Sequence, residues 1–531
     1  MKLALFSCVA LAMAMPAAMA KTTIEYTDKT LALPIMASSR GASSVVPTKM
    51  GTAFFPEVLD ILPHGFLPRS VEVPKPRGYQ NKRQIKHQNE KRTLAAAASA
   101  NNDSQLLARD DAAAAAAAMA SPLATRAAPQ LRFGYGGQKV RGVSLGGWLV
   151  VENFIAPSVY DQTGNPKIID EWSFGSLQSR SRAASILQRH LDTFVTEDDF
   201  RQIAQLGLNH VRIPIGYWAF EVAQGEPFVK LNQWDKLKQA AAWASKYNLK
   251  VLVDLHAIPG SANGYDHGGR KGVNSFASKK SNLQRTLAIL NTMSKEFSQP
   301  RYANSVAAIE LVNEPILDDK TLLDLYYKGY DAVRNPNGVD AAQSPLLVVV
   351  GDGFKSPAYG SGFWNGKFPV PQYEGVALDS HIYTIFDDDS IRLKSADRIG
   401  FYCSLKSKWA AANNNLYSIV GEWTPAFTDC AVGLNGRGTG ARYDGTFAGS
   451  RGRIRSCGPK SGSASGFSDG YKTLLGKMWE AQVDANEGGS GWIMWTWKTE
   501  PGKAEDWSYQ KGVEYGWIPR DPTARPNGIR C

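Results

Sequence analysis

The sequence is poor in cysteine and histidine, and after its first residues it has no long apolar run. Its 531 residues include 5 cysteines and 7 histidines, and no two cysteines are close enough for a paired metal-ligand motif. We therefore expect no metal site, and nothing points to a cofactor. No later stretch reaches the roughly 18 apolar residues of a membrane-spanning helix. No hydrophobic tail precedes Cys531, so neither a membrane span nor a C-terminal lipid anchor is expected.

Clusters of basic residues are also missing from the part that looks globular, although the formal net charge is +11. The lysines and arginines form no long runs there, and we find no nucleic-acid-binding motif. The charge is interpreted as a general surface bias that could help adhesion to acidic polymers. We expect a monomer that binds no nucleic acid.

The first 20 residues have the pattern of a secretory signal peptide. Lys2 precedes an apolar core over residues 3–14, and Ala18-Met19-Ala20 has the small residues of a cleavage site. A transmembrane anchor is the alternative, and the short apolar core disfavours it. The pattern predicts a secreted protein.

Residues 21–130 have the composition of a low-complexity segment. They contain an alanine run over residues 112–118 and few apolar residues at regular spacing. Two dibasic pairs, Lys82-Arg83 and Lys91-Arg92, resemble kexin-type processing sites. We interpret this segment as a disordered extension, either a linker or a pro-region.

Four cysteines remain after removal of the signal peptide, which contains Cys8. They are Cys403, Cys430, Cys457 and Cys531. An even set in a secreted protein indicates two disulfide bonds, and the residues alone leave three pairings open. Four free buried thiols are the alternative, which an oxidising compartment disfavours.

Over residues 131–531, apolar runs typical of strands alternate with amphipathic stretches of helical length. The eight runs are residues 140–145, 209–215, 250–255, 307–312, 346–350, 376–379, 417–420 and 492–497. Buried strands separated by helices predict an α/β fold with a parallel sheet. Eight units in one domain predict a (β/α)8 TIM barrel with loop insertions. A doubly wound open sheet is the alternative, disfavoured because no glycine-rich phosphate loop follows the first strand.

Residues suited to binding sugars follow most of these strands, at the end of a barrel where active sites form. Carboxylates and amides can bind hydroxyl groups, and aromatic rings can cover apolar faces. The fifth strand supplies no such residue that we can assign. In chain order the candidates are Glu152, Arg212, His256, Tyr265, Asn313, Glu314, His381, Tyr383, Phe386, Glu422 and Trp495, and the loop with Tyr265 also holds Asn263, Asp266 and His267.

Glu314 and Glu422 form the central pair of this pattern. Hydrolysis of a glycosidic bond needs one carboxyl group that holds a proton and one that stays ionised. Under this hypothesis Glu314 is the general acid/base, its proton retained by burial and by the charge of Glu422. Glu422 is the nucleophile, kept ionised by Arg212, and Asn313 holds the sugar 2-hydroxyl. Taken singly, each residue could instead make a structural hydrogen bond, and Trp495 could simply pack in the core.

Seven motifs are similar to those of the fungal exo-β-1,3-glucanases of glycoside hydrolase family 5. They are residues 143–152, 211–218, 254–256, 259–261, 313–315, 421–423 and 495–500. The resemblance covers about residues 131–531 and marks that range as the catalytic domain. It implies a retaining enzyme that removes glucose from non-reducing ends of β-1,3-glucan in the extracellular space or cell wall, with transglycosylation as a side reaction.

The resemblance also implies roles for individual residues. Glu314 takes the place of the acid/base and Glu422 that of the nucleophile. The pocket for the terminal glucose would be lined by Glu152, Arg212, His256, Asn313, His381, Tyr383 and Trp495. Tyr265, where Phe is more usual, and Phe386 would grip the next sugar. The implied disulfide bonds are Cys403–Cys531 and Cys430–Cys457.

Two departures from the family pattern bear on substrate preference. Asn153-Phe154 stands where Pro and an aromatic residue are expected, and Pro501-Gly502 stands where Asn-Ala is usual. A β-1,6-glucanase, another β-glucosidase and a non-catalytic protein that binds wall glucan therefore remain as alternatives. Exo versus endo cleavage also stays open, because loop structure decides it.

Overall fold

A computed structural model describes residues 128–531. The signal peptide predicted over residues 1–20 and nearly all of the extension predicted over residues 21–130 lie outside the described residues. Within them, eight parallel strands form a closed barrel in sequence order. The predicted (β/α)8 architecture is thereby confirmed, and the open sheet is not the fold.

The strands are rich in Val, Ile and Leu and are buried almost throughout, as expected for a parallel sheet covered by helices. Each pairs with the next, and the last closes the barrel on the first through pairs such as Val143 with Met494. They are β1 Val140–Ser144, β2 His210–Gly216, β3 Lys250–Ala257, β4 Val306–Glu310, β5 Leu347–Gly351, β6 Val376–Ile382, β7 Tyr417–Trp423 and β8 Gly491–Met494.

Amphipathic helices pack their apolar sides on the outside of the barrel. The described α-helices are α1 Pro157–Asp161, α2 Glu171–Ser176, α3 Arg180–Thr193, α4 Glu197–Gln205, α5 Gln233–Lys246, α6 Lys280–Phe297, α7 Asp319–Arg334, α8 Ser395–Ser404, α9 Lys406–Asn413, α10 Asp469–Asn486 and α11 Tyr509–Glu514. Short 3-10 helices lie at Tyr217–Ala219, Phe276–Ser278, Pro300–Tyr302, Pro357–Tyr359, Ser390–Arg392, Ala464–Gly466 and Glu505–Trp507. None of the described helices combines the length and apolar character that a membrane crossing requires.

Local sequence explains where helices begin. Thr196 and Asp199 form a capping box at the start of α4, and the acidic residues of its first turn suit the positive end of the helix dipole. Ser468 caps α10 by accepting a hydrogen bond from the backbone N–H of Tyr471.

Several strand limits differ from those predicted. The fourth strand ends at Glu310, so Asn313 and Glu314 lie in the loop after it. The seventh continues to Trp423 and contains Glu422. The eighth ends at Met494, yet the Trp495 N–H still donates to the Trp423 carbonyl at 3.0 Å. Apolarity alone misses these limits, because the largely apolar residues at 311–312 and 495–497 lie beyond the ends of their strands, whereas β7 stays in the sheet through the polar Glu422.

A change from apolar to charged residues occurs along the barrel interior. Near its amino end the interior holds a separate apolar cluster with residues such as Leu252, Ala308 and Ile493, closed by Tyr135. On β2, the corresponding inward position carries Arg212, which is fully buried beside Glu310 and Asp254. This charged layer lies directly under the predicted site.

Two disulfide bonds tie the loops and terminus to this scaffold. Cys403 in α8 is bonded to Cys531, and Cys430 is bonded to Cys457 within the long loop after β7. This is the pairing that the family resemblance implies.

Candidate active site

Glu314 and Glu422 face each other at the carboxyl end of the barrel. Three atoms lie within 4.8 Å of one another: one carboxylate oxygen of Glu314, one of Glu422 and a ring nitrogen of His381. His381 Nδ1 is 2.7 Å from Glu314 Oε1 and 3.5 Å from Glu422 Oε2. The imidazole therefore bridges the two carboxylates.

The backbone places Glu314 in an uncommon conformation. Its φ is +46°, in the left-handed region that non-glycine residues seldom adopt. Such strain of about 1–3 kcal/mol persists where the surrounding structure fixes it, often at functional sites. Glu314 adopts this conformation where its carboxylate meets the His381 ring.

Arg212 holds Glu422 from below. Its Nη1 donates to Glu422 Oε1 at 2.7 Å, and its Nε donates to Glu310 Oε2 at 2.8 Å. Its Nη2 donates to Asn313 Oδ1 at 2.8 Å and lies 3.1 Å from Asp254 Oδ2. A guanidinium can satisfy several acceptors at fixed angles, so this one side chain orients the nucleophile candidate and Asn313 together.

Glu422 also receives a hydrogen bond from the Tyr383 hydroxyl, at 3.0 Å from Oε2. The pKa of the Glu422 carboxyl is raised by burial. The charges of His381 and Arg212 lower it, but their effect is the smaller one. Gly421, the preceding residue, donates its N–H to Asp379 Oδ1 at 2.6 Å. A Cβ at Gly421 would overlap the Asp379 carboxylate, so the strand needs glycine at this position.

The charges around Glu314 and His381 favour His381 as the group that carries their shared proton. Burial raises the pKa of Glu314, but the hydrogen bond and charge of His381, with His267 and His256, lower it to about 2. Burial lowers the pKa of His381, but Glu422, Asp379 and Glu314 raise it well above its ordinary value. The sequence led us to expect the proton on Glu314 itself; the charges favour it one hydrogen bond away.

Two polar atoms of predicted sugar-binding residues are buried without a hydrogen-bond partner in the described part of the chain. They are Glu152 Oε1 and Asn313 Nδ2. Buried polar atoms are normally paired, and leaving one unpaired costs about 1–3 kcal/mol. Burial, followed by the charge of Glu422, raises the pKa of Glu152 well above its ordinary value. Both atoms are therefore suited to meet the hydroxyl groups of a ligand.

The aromatic candidates lie near these groups. Trp495 stacks on His256 with ring centres 5.8 Å apart, and His256 Nδ1 is 2.6 Å from Asp254 Oδ2. Trp495 is only 3% exposed and packs in an apolar cluster, so much of its surface serves the core. The ring centres of Phe386 and Tyr383 are 5.3 Å apart. Those of Tyr265 and His267 are 5.2 Å apart. The aromatic pair predicted for the next sugar thus adjoins residues that touch each glutamate.

Glu310 and Asp379 contribute to the site although the sequence did not point to them, and Asp254 was named only as part of the motif at residues 254–256. Each is a fully or almost fully buried carboxylate near Arg212 or His381. The signal in the sequence that could have identified them is an acidic residue inside an otherwise apolar strand. His267 was noticeable only as a member of the loop after β3, yet its Nε2 lies 3.4 Å from Glu314 Oε2.

The loops after β1, β3, β6 and β7 are joined around the site. Lys271 Nζ donates to the Asn435 carbonyl at 3.4 Å, linking the β3 and β7 loops. Arg437 donates to backbone carbonyls of the β1 loop, and Arg451 pairs with Asp389 of the β6 loop. Asn153, one of the departures, packs so closely on Gly433 that a Cβ there would collide with its Oδ1. The β7 loop therefore forms a wall fixed at three places.

Comparison with known proteins agrees with this architecture. A family model described as Cellulase (glycosyl hydrolase family 5) matches residues 176–429. Over 419 residues the chain is 39% identical to "Glucan 1,3-beta-glucosidase" of Blumeria graminis, covering 78% of this chain and 93% of the relative. It is 38% identical to "Probable glucan 1,3-beta-glucosidase A" of Aspergillus niger, covering 78% and 95%.

Among solved structures, a rutinosidase from Aspergillus niger has a TM-score of 0.55 at 19% identity, covering 74% of this chain and 99% of that one. At this identity the likeness concerns the fold alone. The alignments with the two sequence relatives cover nearly the whole length of each relative. The chain belongs to glycosyl hydrolase family 5.

Proposed function

We propose that the protein is a retaining glucan 1,3-β-glucosidase that releases glucose from non-reducing ends of β-1,3-glucan. The observation that carries the proposal is the separation of the two carboxylates, with one oxygen of each within 4.8 Å. Retaining enzymes have carboxyl groups roughly 5–5.5 Å apart, whereas inverting enzymes need about 6.5–9.5 Å to admit a water molecule. The substrate follows from the curated relatives, which are named glucan 1,3-β-glucosidases.

In the first half of the reaction, Glu422 attacks the anomeric carbon and the bond to the leaving oxygen breaks. Glu314 gives that oxygen a proton, so the departing sugar leaves as an alcohol. The proton reaches Glu314 Oε1 from His381 Nδ1, 2.7 Å away. Arg212 and Tyr383 orient the Glu422 carboxylate during the attack.

In the second half, Glu314 accepts a proton from water as that water attacks the glycosyl-enzyme. Glu422 departs and the first anomeric configuration is restored. A hydroxyl of another sugar could take the place of water, which would give transglycosylation. Tyr265 and Phe386 supply aromatic surface for such an acceptor.

The terminal glucose is proposed to satisfy the unpaired Glu152 Oε1 and Asn313 Nδ2. Asn313 would contact the 2-hydroxyl, an interaction that strengthens in an oxocarbenium-like transition state. His256, His381 and Trp495 complete the proposed pocket. Hydrogen bonds join the loops after β1, β3 and β7 beside the site. We propose that these loops block one end of the glucan-binding cleft, which would favour cleavage at chain ends.

Secretion into the extracellular space or cell wall is part of the proposal. The signal-peptide pattern of residues 1–20 supports it. Two disulfide bonds also suit an oxidising compartment. We also propose that the active unit is a monomer, as the sequence led us to expect.

Product analysis on two polysaccharides tests the substrate assignment. Laminarin, a β-1,3-glucan, should yield glucose from the first minutes without intermediate oligosaccharides, while a β-1,6-glucan should yield far less. Faster release from the β-1,6-glucan would change the linkage assignment. Early appearance of oligosaccharides from laminarin would contradict cleavage at chain ends.

A further inference from the structure

Glu314 has a second imidazole on its other carboxylate oxygen. His381 Nδ1 lies 2.7 Å from Oε1, whereas His267 Nε2 lies 3.4 Å from Oε2. The two histidines come from different parts of the barrel, β6 and the loop after β3. In the proposed reaction His381 supplies the proton to Glu314, and His267 has no assigned role.

The fold fixes the position of His267. Its backbone N–H donates to Asp266 Oδ1 at 3.1 Å, and the loop is closed by a hydrogen bond from Gly272 to Gly264 at 2.8 Å. The ring lies 5.2 Å from His256 on one side and 5.2 Å from Tyr265 on the other. Only 20% of the side chain is exposed, so the ring is held against Glu314 by packing.

The surroundings of His267 favour a neutral ring whose Nε2–H faces Glu314 Oε2. At 3.4 Å this is a close contact, of the kind that shortens to a hydrogen bond when an active site tightens on its substrate. Its Nδ1 is buried and has no hydrogen-bond partner within residues 128–531, and a charged ring would leave a second N–H unpaired there. Burial lowers the pKa of His267. Because Nε2 faces a carboxylate, the tautomer with hydrogen on Nε2 matches its partner. The ionisable groups that face the ring are Glu314, His256, Tyr265, Asp266 and His381.

We propose that His267 is a positioning residue for Glu314 that directs the transferable proton to Oε1. A donor at Oε2 keeps that oxygen as an acceptor, so the acid proton resides on Oε1, the oxygen next to His381. The same contact holds the carboxyl group in one orientation when Glu314 is ionised in the second half of the reaction. This inference rests on the proposed function and extends it to proton delivery.

Two substrates with different leaving groups test the idea. A laminarin oligosaccharide needs a proton on its leaving oxygen, whereas 2,4-dinitrophenyl β-glucoside releases a stable phenolate without one. His267→Phe keeps the ring volume and removes both nitrogens. We expect its kcat/KM on the oligosaccharide to fall about tenfold to hundredfold, with a change of less than about threefold on the dinitrophenyl glucoside.

His267→Gln is the matched control, because its amide can supply an N–H at a similar reach without a titratable ring. It should stay within about threefold of the wild type on both substrates. If His267→Phe does not fold, His267→Asn carries the same expectation, because its amide is too short to reach Oε2.

Equal losses on both substrates in His267→Phe would overturn the inference and assign His267 a structural role. An unchanged oligosaccharide rate, or failure of His267→Gln to retain it, would overturn it as well. These outcomes are read against an active wild type. A wild type inactive on both substrates would instead overturn the proposed function, and this inference with it.

Discussion

Arg212 Nη1 lies 2.7 Å from Glu422 Oε1, deep in the barrel, where both residues are almost fully inaccessible to solvent. The same guanidinium pairs with Glu310 and Asp254. One cation therefore balances a group of buried carboxylates and at the same time orients one of them for chemistry. Stability and catalysis should both depend on it.

Arg212→Leu should lower the free energy of unfolding by about 3–5 kcal/mol, because it leaves buried carboxylates without their partner. It should also abolish measurable glucose release. Arg334→Leu is a suitable control, since Arg334 is equally buried but donates to backbone carbonyls of Glu374 and Gly375. The control should lose stability and keep its rate per folded molecule. Chemical denaturation followed by kinetics distinguishes the two, and retained activity in Arg212→Leu would refute the role of Arg212.

The two glutamates should respond differently to the leaving group. Glu314→Gln should lose about 10²–10⁴-fold in kcat/KM on laminarin oligosaccharides but remain active toward 2,4-dinitrophenyl β-glucoside, whose phenolate needs no proton. Glu422→Gln should lose ~10⁴-fold or more on both substrates, since no covalent bond can form. Steady-state kinetics on both substrates measures this. The reverse pattern would exchange the two roles.

Asp506 should make the protein less stable as pH rises. Burial raises the pKa of Asp506 to about 7, with its Oδ2 buried and unpaired within the described residues. A carboxyl group with a raised pKa binds its proton more tightly in the folded state. Its favourable contribution is therefore complete at low pH and is lost as pH rises through the folded value.

Asp506→Asn keeps an acceptor for the Ser461 hydroxyl, which donates to Asp506 Oδ1 at 2.7 Å. It should raise the free energy of unfolding by a few kcal/mol at pH 8, on the order of 1.4 kcal/mol per unit of pKa shift, and by little at pH 4. Asp340→Asn, at an exposed carboxyl, should change stability at neither pH. Urea denaturation at the two pH values gives the answer; a gain independent of pH would contradict the burial argument.

The two disulfide bonds should have separable effects. Replacing Cys430 and Cys457 with Ala removes a disulfide bond between residues 27 positions apart. This bond lies in the long loop after β7, beside the site. We expect a loss of about 3–4 kcal/mol and a raised KM for laminarin. Replacing Cys403 and Cys531, a link across 128 residues, should lower stability and leave KM unchanged. A KM that rises only in the second pair would contradict the assignment of the β7 loop to the site.

Much of the fold was predictable because its signals are local. Buried strands such as β5 consist almost entirely of aliphatic residues, and the alternation of such strands with helices specifies a barrel. The strand limits near Glu314 and Trp495 were not predictable, because apolar residues continue there beyond the ends of β4 and β8. The motifs around Glu314 and Glu422 were recognisable as a pair, in combination with the residues that follow the other strands.

The partners of those glutamates depend on how neighbouring strands align, and that information is not local. Residues of β2 and β4 are brought together by pairing with β3, which places Arg212 against Glu310. The raised pKa of His381 follows from its closeness to Glu314 and Glu422, which no spacing in the sequence gives. The contact of His267 with Glu314 depends on the path of a glycine-rich loop. These relationships required three-dimensional structure.

The anomer of the first glucose released from laminarin tests the central claim most directly. Proton NMR during the first minutes, before mutarotation, distinguishes the two forms. Two carboxylates within 4.8 Å predict a covalent glycosyl-enzyme and therefore β-glucose as the initial product. An initial α-glucose product would contradict the roles assigned to both Glu314 and Glu422.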